Sequence, residues 1–497
     1  MQTCVQALHK CTRPVALRAV SSASKRPPDR KRILSQLRSY ASVSAAQLQF
    51  GQPLHETHPH LLKAGELTPG ITALEYAQRR SKLAAKLPRN GIAILAASEV
   101  KYRSGAVFYE FHQDSNFFYL TGFNEPEAVA VIGKNTKDDD HVFHLFVRPK
   151  DPKAEQWDGV RSGTQAALDV FNADETGDVN QISSLLSPIV SSASKVYTDF
   201  PFETKTKSFF SRFLSDRSSR AEGFAKVLES SNITPLKDII NDIRNIKSDA
   251  EIANMRKAGK ASGRAFTDAM RQTWTKEKDL AAYLDYKFRA NSCDGSAYVP
   301  VVAGGQNGSI IHYTQNDHLL KDSELVLVDA GGEYGGYITD ITRTWPISGT
   351  FTTAQEDLYN AVLNTQRHCI SLCSAKANFS LDGLHETAET HLKEQLSQLG
   401  FDMSGKALET LFPHHLGHYI GLDVHDTPGQ SRKSILRDRQ CITIEPGIYV
   451  PNTDAFPAHF RGMGIRIEDS VCVQEEHPLV LTTEAVKEVD DIEALRR

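Results

Sequence analysis

No apolar run in the 497 residues approaches the ~20 needed to cross a bilayer, so no transmembrane segment is expected. Cysteine is scarce and unpatterned. The seven, Cys4, Cys11, Cys293, Cys369, Cys373, Cys441 and Cys472, are odd in number and contain no CxxC pair, which suits a reducing compartment. Cys369 and Cys373 share a probable helix whose apolar face carries Leu358 and Val362, and they read as buried packing. Acids are almost missing from the first forty residues, which hold nine Lys/Arg and only Asp29. The remaining 48 basic and 60 acidic residues leave the body of the chain at −12, which argues against a nucleic-acid partner.

The acid-poor leader is rich in Arg and Ser, and Met1, Val5 and Leu8 fall on one helical face beside Lys10 and Arg13. This is the composition of a mitochondrial transit peptide over residues 1–40. The apolar core of a secretory signal is missing, because Arg18 interrupts Pro14 to Val20. Arg38-Ser39-Tyr40-Ala41-Ser42 resembles a matrix-processing site, with cleavage expected near Ser39 or Tyr40. The expected location is therefore the mitochondrion, on the matrix side.

The length predicts two domains beyond the leader. Over residues 51–239, helical spacing at Tyr76, Leu83, Ala84 and Leu87 alternates with strand-like runs at 91–97, 127–133 and 141–147, which predicts a mixed α/β domain. A second domain, residues 245–490, opens on Ser248-Asp-Ala-Glu251, a capping box. Its pattern is helix, helix, strand, strand, given twice: helices with Leu280/Leu284/Phe288 and with Leu358/Val362/Cys369, and strands around 325–329, 337–345, 441–445 and 464–473. Each half ends on strands that carry a pair of acids.

In the first half these are Asp329 and Asp340. A hairpin symmetric about Tyr334 and Gly335 places them directly opposite, with Cβ atoms ~5 Å apart. Carboxylates that close repel, so one becomes protonated unless a cation holds both. A solvated hairpin with surface acids is the alternative, but Asp329 ends the run Leu-Val-Leu-Val. The second half adds Glu445 in Ile-Thr-Ile-Glu-Pro-Gly and Glu468 in Gly-Ile-Arg-Ile-Glu-Asp. Two divalent ions would neutralise the four carboxylates, with His418 of His414-His-Leu-Gly-His418 as a fifth ligand. Oxygen-rich coordination with one imidazole and no thiolate favours Mn²⁺, with Co²⁺, Fe²⁺ and Zn²⁺ left open. A lone histidine is more often a core residue. Here His312, His414, His418 and His425 recur in Gly-rich and apolar context.

Over residues 245–490 these motifs resemble the pita-bread metallopeptidases, the superfamily of methionine aminopeptidase, prolidase and X-prolyl aminopeptidase. The resemblance implies a pseudo-twofold catalytic domain, an antiparallel sheet covered by helices. It implies metal ligands at Asp329, Asp340, His418, Glu445 and Glu468, with Asp340 and Glu468 bridging. It also implies catalytic helpers at His312, His414, His425 and Arg466. Beside these, Glu445 is expected to shuttle a proton toward the leaving amine, and Tyr449 in Glu-Pro-Gly-Ile-Tyr is a candidate wall of the substrate pocket. Arg466 is equally readable as an ordinary ion pair. Phe111 to Pro126 and Trp157-Asp-Gly-Val-Arg161 are similar to X-prolyl aminopeptidase signatures, although many relatives have Arg where His112 stands. With the leader added, the likeness is to the mitochondrial group that includes the intermediate cleaving peptidases. The implied substrates are peptides and imported protein amino termini, and a homo-oligomer is left open. A prolidase-type dipeptidase and a non-catalytic pita-bread binding module are the competing readings.

Overall fold

The computed structural model describes residues 48–134, 141–199, 227–228 and 233–497. The leader, its processing segment and the cysteines Cys4 and Cys11 lie outside the described residues. Residues Gln49–Arg497 form one unit.

Its amino-terminal part is built on a six-stranded mixed sheet. The strands are β1 (Gly91–Ala96), β2 (Val129–Lys134), β3 (His141–Val147), β4 (Glu175–Asp178), β5 (Lys195–Tyr197) and β6 (Ile233–Thr234). They lie in the order β6-β5-β1-β2-β3-β4, antiparallel across β1/β2 and β2/β3 and parallel elsewhere. Helix α1 (Ala73–Lys86) starts where Thr72 Oγ1 accepts from Glu75 N at 3.2 Å, a side-chain cap for an otherwise unpaired amide. Its buried face holds Tyr76, Leu83 and Ala84 as the spacing predicts, but also Arg79 and Arg80. Arg80 donates to Leu120 O at 3.0 Å and lies 4.2 Å over the Phe143 ring, so the cation is paired rather than stranded. Helix α2 (Ser115–Thr121) follows, within the segment 111–126.

The carboxyl-terminal part begins after α3 (Lys237–Asn245). Helix α4 (Asp249–Met270) carries the expected capping box, with Ser248 and Glu251 each bonding the other's backbone. Helix α5 (Glu277–Ala290) packs beside it, and Ala265, Phe266, Leu280, Leu284 and Phe288 enter one large core. Strand β7 (Val301–Gly304), β8 (Leu325–Asp329) and β11 (Thr342–Pro346) form an antiparallel sheet, with β9 (Gly332–Tyr334) and β10 (Tyr337–Ile338) as the hairpin tip between β8 and β11. Helices α6 (Thr353–Ser371) and α7 (Leu381–Gln398) lead to the second half. There β12 (Cys441–Ile444) pairs with β15 (Asp469–Cys472), and β13 (Gly447–Tyr449) pairs with β14 (Gly464–Arg466). Helix α6 ends at Ser371, so Cys373 lies just beyond it, buried like Cys369.

Both halves are therefore the same object: a long antiparallel hairpin broken once on each arm. The breaks fall at residues 330–331 and 339–341 in the first half and at 445–446 and 467–468 in the second. Three of the four acids, Asp340, Glu445 and Glu468, sit in a break, and Asp329 is the last residue before one. At a break the side chain is released from strict strand alternation and can turn toward a common centre. The strands around it anchor the break, since Leu325 to Val328 are all buried and each such side chain contributes ~1.5–3 kcal/mol.

The first hairpin corrects the expected register. Its turn is Gly335-Gly336, both at positive φ, so Tyr334 faces Tyr337 and Asp329 faces Thr342. Asp329 and Asp340 are thus not directly opposite. They are diagonal neighbours, brought together because Asp340 lies in the break.

Candidate active site

Asp340, His418 and Glu468 each offer a ligand atom, and these atoms lie within 4.8 Å of one another. His418 Nε2 is 3.5 Å from both Asp340 Oδ2 and Glu445 Oε1. Its Nδ1 is 3.1 Å from Tyr419 O, and a carbonyl only accepts, so the neutral ring would keep its hydrogen on Nδ1 and offer Nε2 to a cation held by the carboxylates. Thr443 on β12 holds this side of the site: His418 N donates to its hydroxyl at 3.1 Å, and the hydroxyl donates to Glu445 Oε1 at 3.2 Å.

Asp329 joins the cluster through Tyr298, whose hydroxyl is 2.7 Å from Asp329 Oδ1 and in closer contact with Asp340 Oδ1. Arg466 completes the scaffold. Its guanidinium donates to Asp329 Oδ2 at 2.7 Å, to Thr342 Oγ1 at 3.0 Å and to Tyr449 OH at 2.8 Å, and Thr342 in turn donates to Glu468 Oε2 at 2.7 Å. The ion pair read for Arg466 and its place in the site are one fact, because its partner is a site carboxylate. Tyr298 and Thr342 are the residues that sequence reasoning missed. Tyr298 lies in Gly295-Ser-Ala-Tyr-Val-Pro300, which has no periodicity to mark it, and Thr342 is visible only once the register is known.

The charge balance is incomplete without a cation. Burial, followed by the neighbouring carboxylates, pushes Glu468 well above the usual carboxylate range. Burial and then Asp340 raise Asp329 to about 6, and burial raises Glu445 to about 7. Burial works against ionised Asp340 too, but contact with His418 outweighs it and holds its pKa down. His418 shows the converse: burial disfavours its charged form, yet Asp340 and Glu445 raise it to about 9. The site asks for positive charge and fills the need with protons. Glu468 Oε1 is buried with no hydrogen-bond partner, although its other oxygen is satisfied. A buried, unpaired carboxylate oxygen among three acids and an imidazole lone pair fits a divalent cation, by charge and by donor chemistry.

The other expected residues gather around this centre. His425 stacks edge-on against His418 with ring centroids 4.4 Å apart, and burial, then His418, holds its pKa down, while His312 is exposed. His414 Nδ1 is 2.9 Å from His415 O and its Nε2 is 2.9 Å from Tyr449 OH. Burial, then Arg466, lowers its pKa to about 4. A neutral His414 therefore carries its hydrogen on Nδ1, and the chain of donors runs Arg466 to Tyr449 to His414. Tyr449 is buried and its hydroxyl is occupied in this chain. Of the segments that resembled family signatures, Trp157 is 87% exposed, while His112 pairs with Glu333 on β9 at 3.2 Å. That hydrogen bond raises the His112 pKa to about 9, so the histidine supplies a cation to Glu333.

Paired broken hairpins that turn four acids and one imidazole toward a common point define a metal-dependent hydrolase of the pita-bread fold. Residues 253–475 match Metallopeptidase family M24, and residues 76–197 match the aminopeptidase P N-terminal domain. The chain is 48% identical to intermediate cleaving peptidase 55 of Saccharomyces cerevisiae over 453 residues, 90% of this chain and 88% of that protein. It is 38% identical to Xaa-Pro aminopeptidase 3 of Homo sapiens, covering 90% of each. It is 36% identical to intermediate cleaving peptidase 55, mitochondrial, of Arabidopsis thaliana, covering 90% of this chain and 87% of that one. The crystal structure of Saccharomyces cerevisiae Icp55 lacking its N-terminal 58 residues superposes with a TM-score of 0.80 at 45% identity, covering 87% of this chain and 99% of that one. The chain belongs to metallopeptidase family M24, in its aminopeptidase P branch, and is a metalloaminopeptidase. Membership of this metallopeptidase family implies divalent metal ions, and among the described residues no helix is long and apolar enough to cross a membrane.

Proposed function

We propose that this enzyme holds two divalent ions, manganese first among the candidates, on Asp329, Asp340, His418, Glu445 and Glu468, and removes single residues from the amino ends of imported mitochondrial proteins. The observation that carries the reading is the buried, under-neutralised acid cluster with the unpaired Glu468 Oε1 at its centre. When bound, such ions supply Lewis acidity and lower the pKa of water enough to make a nucleophile near neutral pH. Everything else falls to the chain. Glu445, held by Thr443 and 3.5 Å from His418, is placed to accept a proton from the nucleophile and return it to the leaving amine. Tyr298 and Arg466 hold Asp329 and Asp340 in place, and the substrate's free α-amino group would enter beside Asp329. Both ring nitrogens of His414 are already occupied, so its part is to orient Tyr449, which leaves His425 and His312 to polarise the scissile carbonyl.

The matrix location and the choice of substrate rest on the basic leader of residues 1–40 and on the names carried by the relatives. The domain bounds proposed are residues 51–239 and 245–490. The test uses purified enzyme, a chelator and two synthetic substrates, Tyr-Ser-Ala-containing hexapeptide and the dipeptide Tyr-Pro. Chelation is expected to abolish cleavage and Mn²⁺ to restore it, with one Tyr released per hexapeptide. Cleavage of the dipeptide alone would replace this reading with a prolidase-type one.

A further inference from the structure

Two of the scattered cysteines, Cys441 and Cys472, meet in the fold. They are cross-strand partners on β12 and β15, and both are completely buried. The pair is of the non-hydrogen-bonded kind. Val473 N donates to Gln440 O at 2.8 Å on one side of it, while the Cys441 carbonyl turns to the opposite edge and accepts from Ile420 N at 3.0 Å. At such positions the Cα atoms stand ~4.5 Å apart with side chains on the same face, inside the ~4.4–6.8 Å range that a disulfide bridges. Both thiols are free, and each acts on the other's ionisation as a hydrogen-bond partner.

We propose that Cys441 and Cys472 are a modification site, closing under peroxide to a reversible disulfide that staples together the two strands leading to Glu445 and Glu468.

The location explains how an oxidant reaches buried thiols. The pair is the last of the β12–β15 ladder, flanked by Leu479 beyond β15 and by Ile420 beyond β12, and the chain reaches the exposed Arg437 and Asp438 three residues before Cys441. Ladder ends fray locally without global unfolding, and hydrogen peroxide is small enough to enter when they do. Cys472 is the attacking thiol. The hydrogen bond from Cys441 lowers its pKa, with Arg439 and Lys247 acting the same way. The Cys472 thiolate attacks one peroxide oxygen, the O–O bond breaks, and hydroxide leaves, giving a sulfenic acid. Cys441 then attacks that sulfur, an S–S bond forms, and water leaves with the thiol proton. Two thiols lose two electrons in total, and one peroxide is reduced to two waters. Thiol reductants reverse the change.

The consequence falls on the metal-free enzyme. Without cations only protons and His418 draw together the carboxylates at the ends of these strands, and a covalent link four residues from Glu445 and four from Glu468 resists their separation. The experiment treats the metal-loaded enzyme with hydrogen peroxide, alkylates the remaining thiols under denaturing conditions, and maps peptides without reduction. A Cys441–Cys472 linked peptide, absent after dithiothreitol, is expected. In chelator, the oxidised enzyme should retain Mn²⁺-recoverable activity several-fold longer than the oxidised Cys441→Ser variant. Full alkylation of both thiols after peroxide, or their conversion to sulfinic acid without a cross-link, would overturn the assignment. So would an oxidised enzyme that decays in chelator as fast as Cys441→Ser, since the staple would then hold nothing. The peptide map of the unmutated enzyme stands even where a serine variant folds poorly.

Discussion

At the scale of single residues, the proposed metal site would divide into groups that touch metal and substrate and groups that hold those in place. Glu445 is placed in the first class. Replacing it with Gln keeps the side-chain shape and the oxygen that accepts from Thr443, but removes the group able to carry a proton. Turnover in Glu445→Gln is expected to fall about 10²-fold or more while the thermal melt stays cooperative. A loss of only a few fold would remove it from proton transfer. Tyr298 is placed in the second class. Its hydroxyl stands between Asp329 and Asp340, and Tyr298→Phe leaves both carboxylates without it. Metal affinity, measured by calorimetry on the chelated and dialysed protein, is expected to weaken about 10-fold or more. An unchanged affinity would leave Tyr298 as packing alone.

At the scale of elements, the broken hairpins explain both what was legible in the sequence and what was not. Each acid is flanked by strand-forming apolar residues, so Asp329, Glu445 and Glu468 announce themselves as buried charges before any fold is known. The capping box at Ser248 is legible for the same reason, since its chemistry is local. Register is not local. The turn at Gly335-Gly336 shifts the pairing so that Asp329 meets Thr342, and only the break at 339–341 brings Asp340 back. Tyr298, Thr342 and the meeting of Cys441 with Cys472 all depend on such long-range pairing. Helix α4 is a second case. Its Gly259 looks like a helix weakness of ~1 kcal/mol relative to Ala. A Cβ there would stand 2.2 Å from Leu481 O, whereas one at Gly383 in α7 would meet only ordinary contacts at 3.4 and 3.5 Å. Gly259→Ala is therefore expected to lower stability by ~1–3 kcal/mol, because backbone must move to admit the methyl. Gly383→Ala should be neutral or stabilising by up to ~1 kcal/mol. Thermal melts of the two variants should shift in opposite directions or, at least, only the first should fall.

At the scale of the whole molecule, charge ties the site to the stability of the fold. In metal-free protein Asp329 and Glu445 have folded pKa values raised to about 6 and about 7, above their ordinary range. The folded state then binds more protons than the unfolded one, so stability rises as pH falls from above 7 toward 5. A different group sets the acid limit. Burial alone would raise the pKa of Asp426, but Arg244 and then Lys247 on the segment joining the two domains outweigh it and hold it low. Its contribution is complete above ~3.9 and is lost as pH falls through the depressed folded value. His414, lowered to about 4, opposes the gain on acidification below its ordinary ~6.5, whereas His418, raised to about 9, adds to it above. The melting temperature of metal-free protein should therefore fall as pH rises from about 6.5 to 8, and metal loading should flatten that fall. A metal-free profile still rising from pH 6 to 8 would contradict the charge balance described for the site.

The same joining segment links the site to the amino-terminal domain. Arg244 reaches Asn116 on α2 at 2.6 Å and Asp423 at 2.8 Å, while Arg79 of α1 donates to Tyr337 on the catalytic hairpin at 3.1 Å. The most direct measurement is amino-terminal sequencing of mitochondrial proteins from cells with and without this protein. In its absence, proteins processed after an Arg at the second position before the cut should begin one residue earlier, with Tyr, Leu or Phe ahead of Ser or Ala. Unchanged amino termini, with only Xaa-Pro peptides accumulating, would contradict the trimming role.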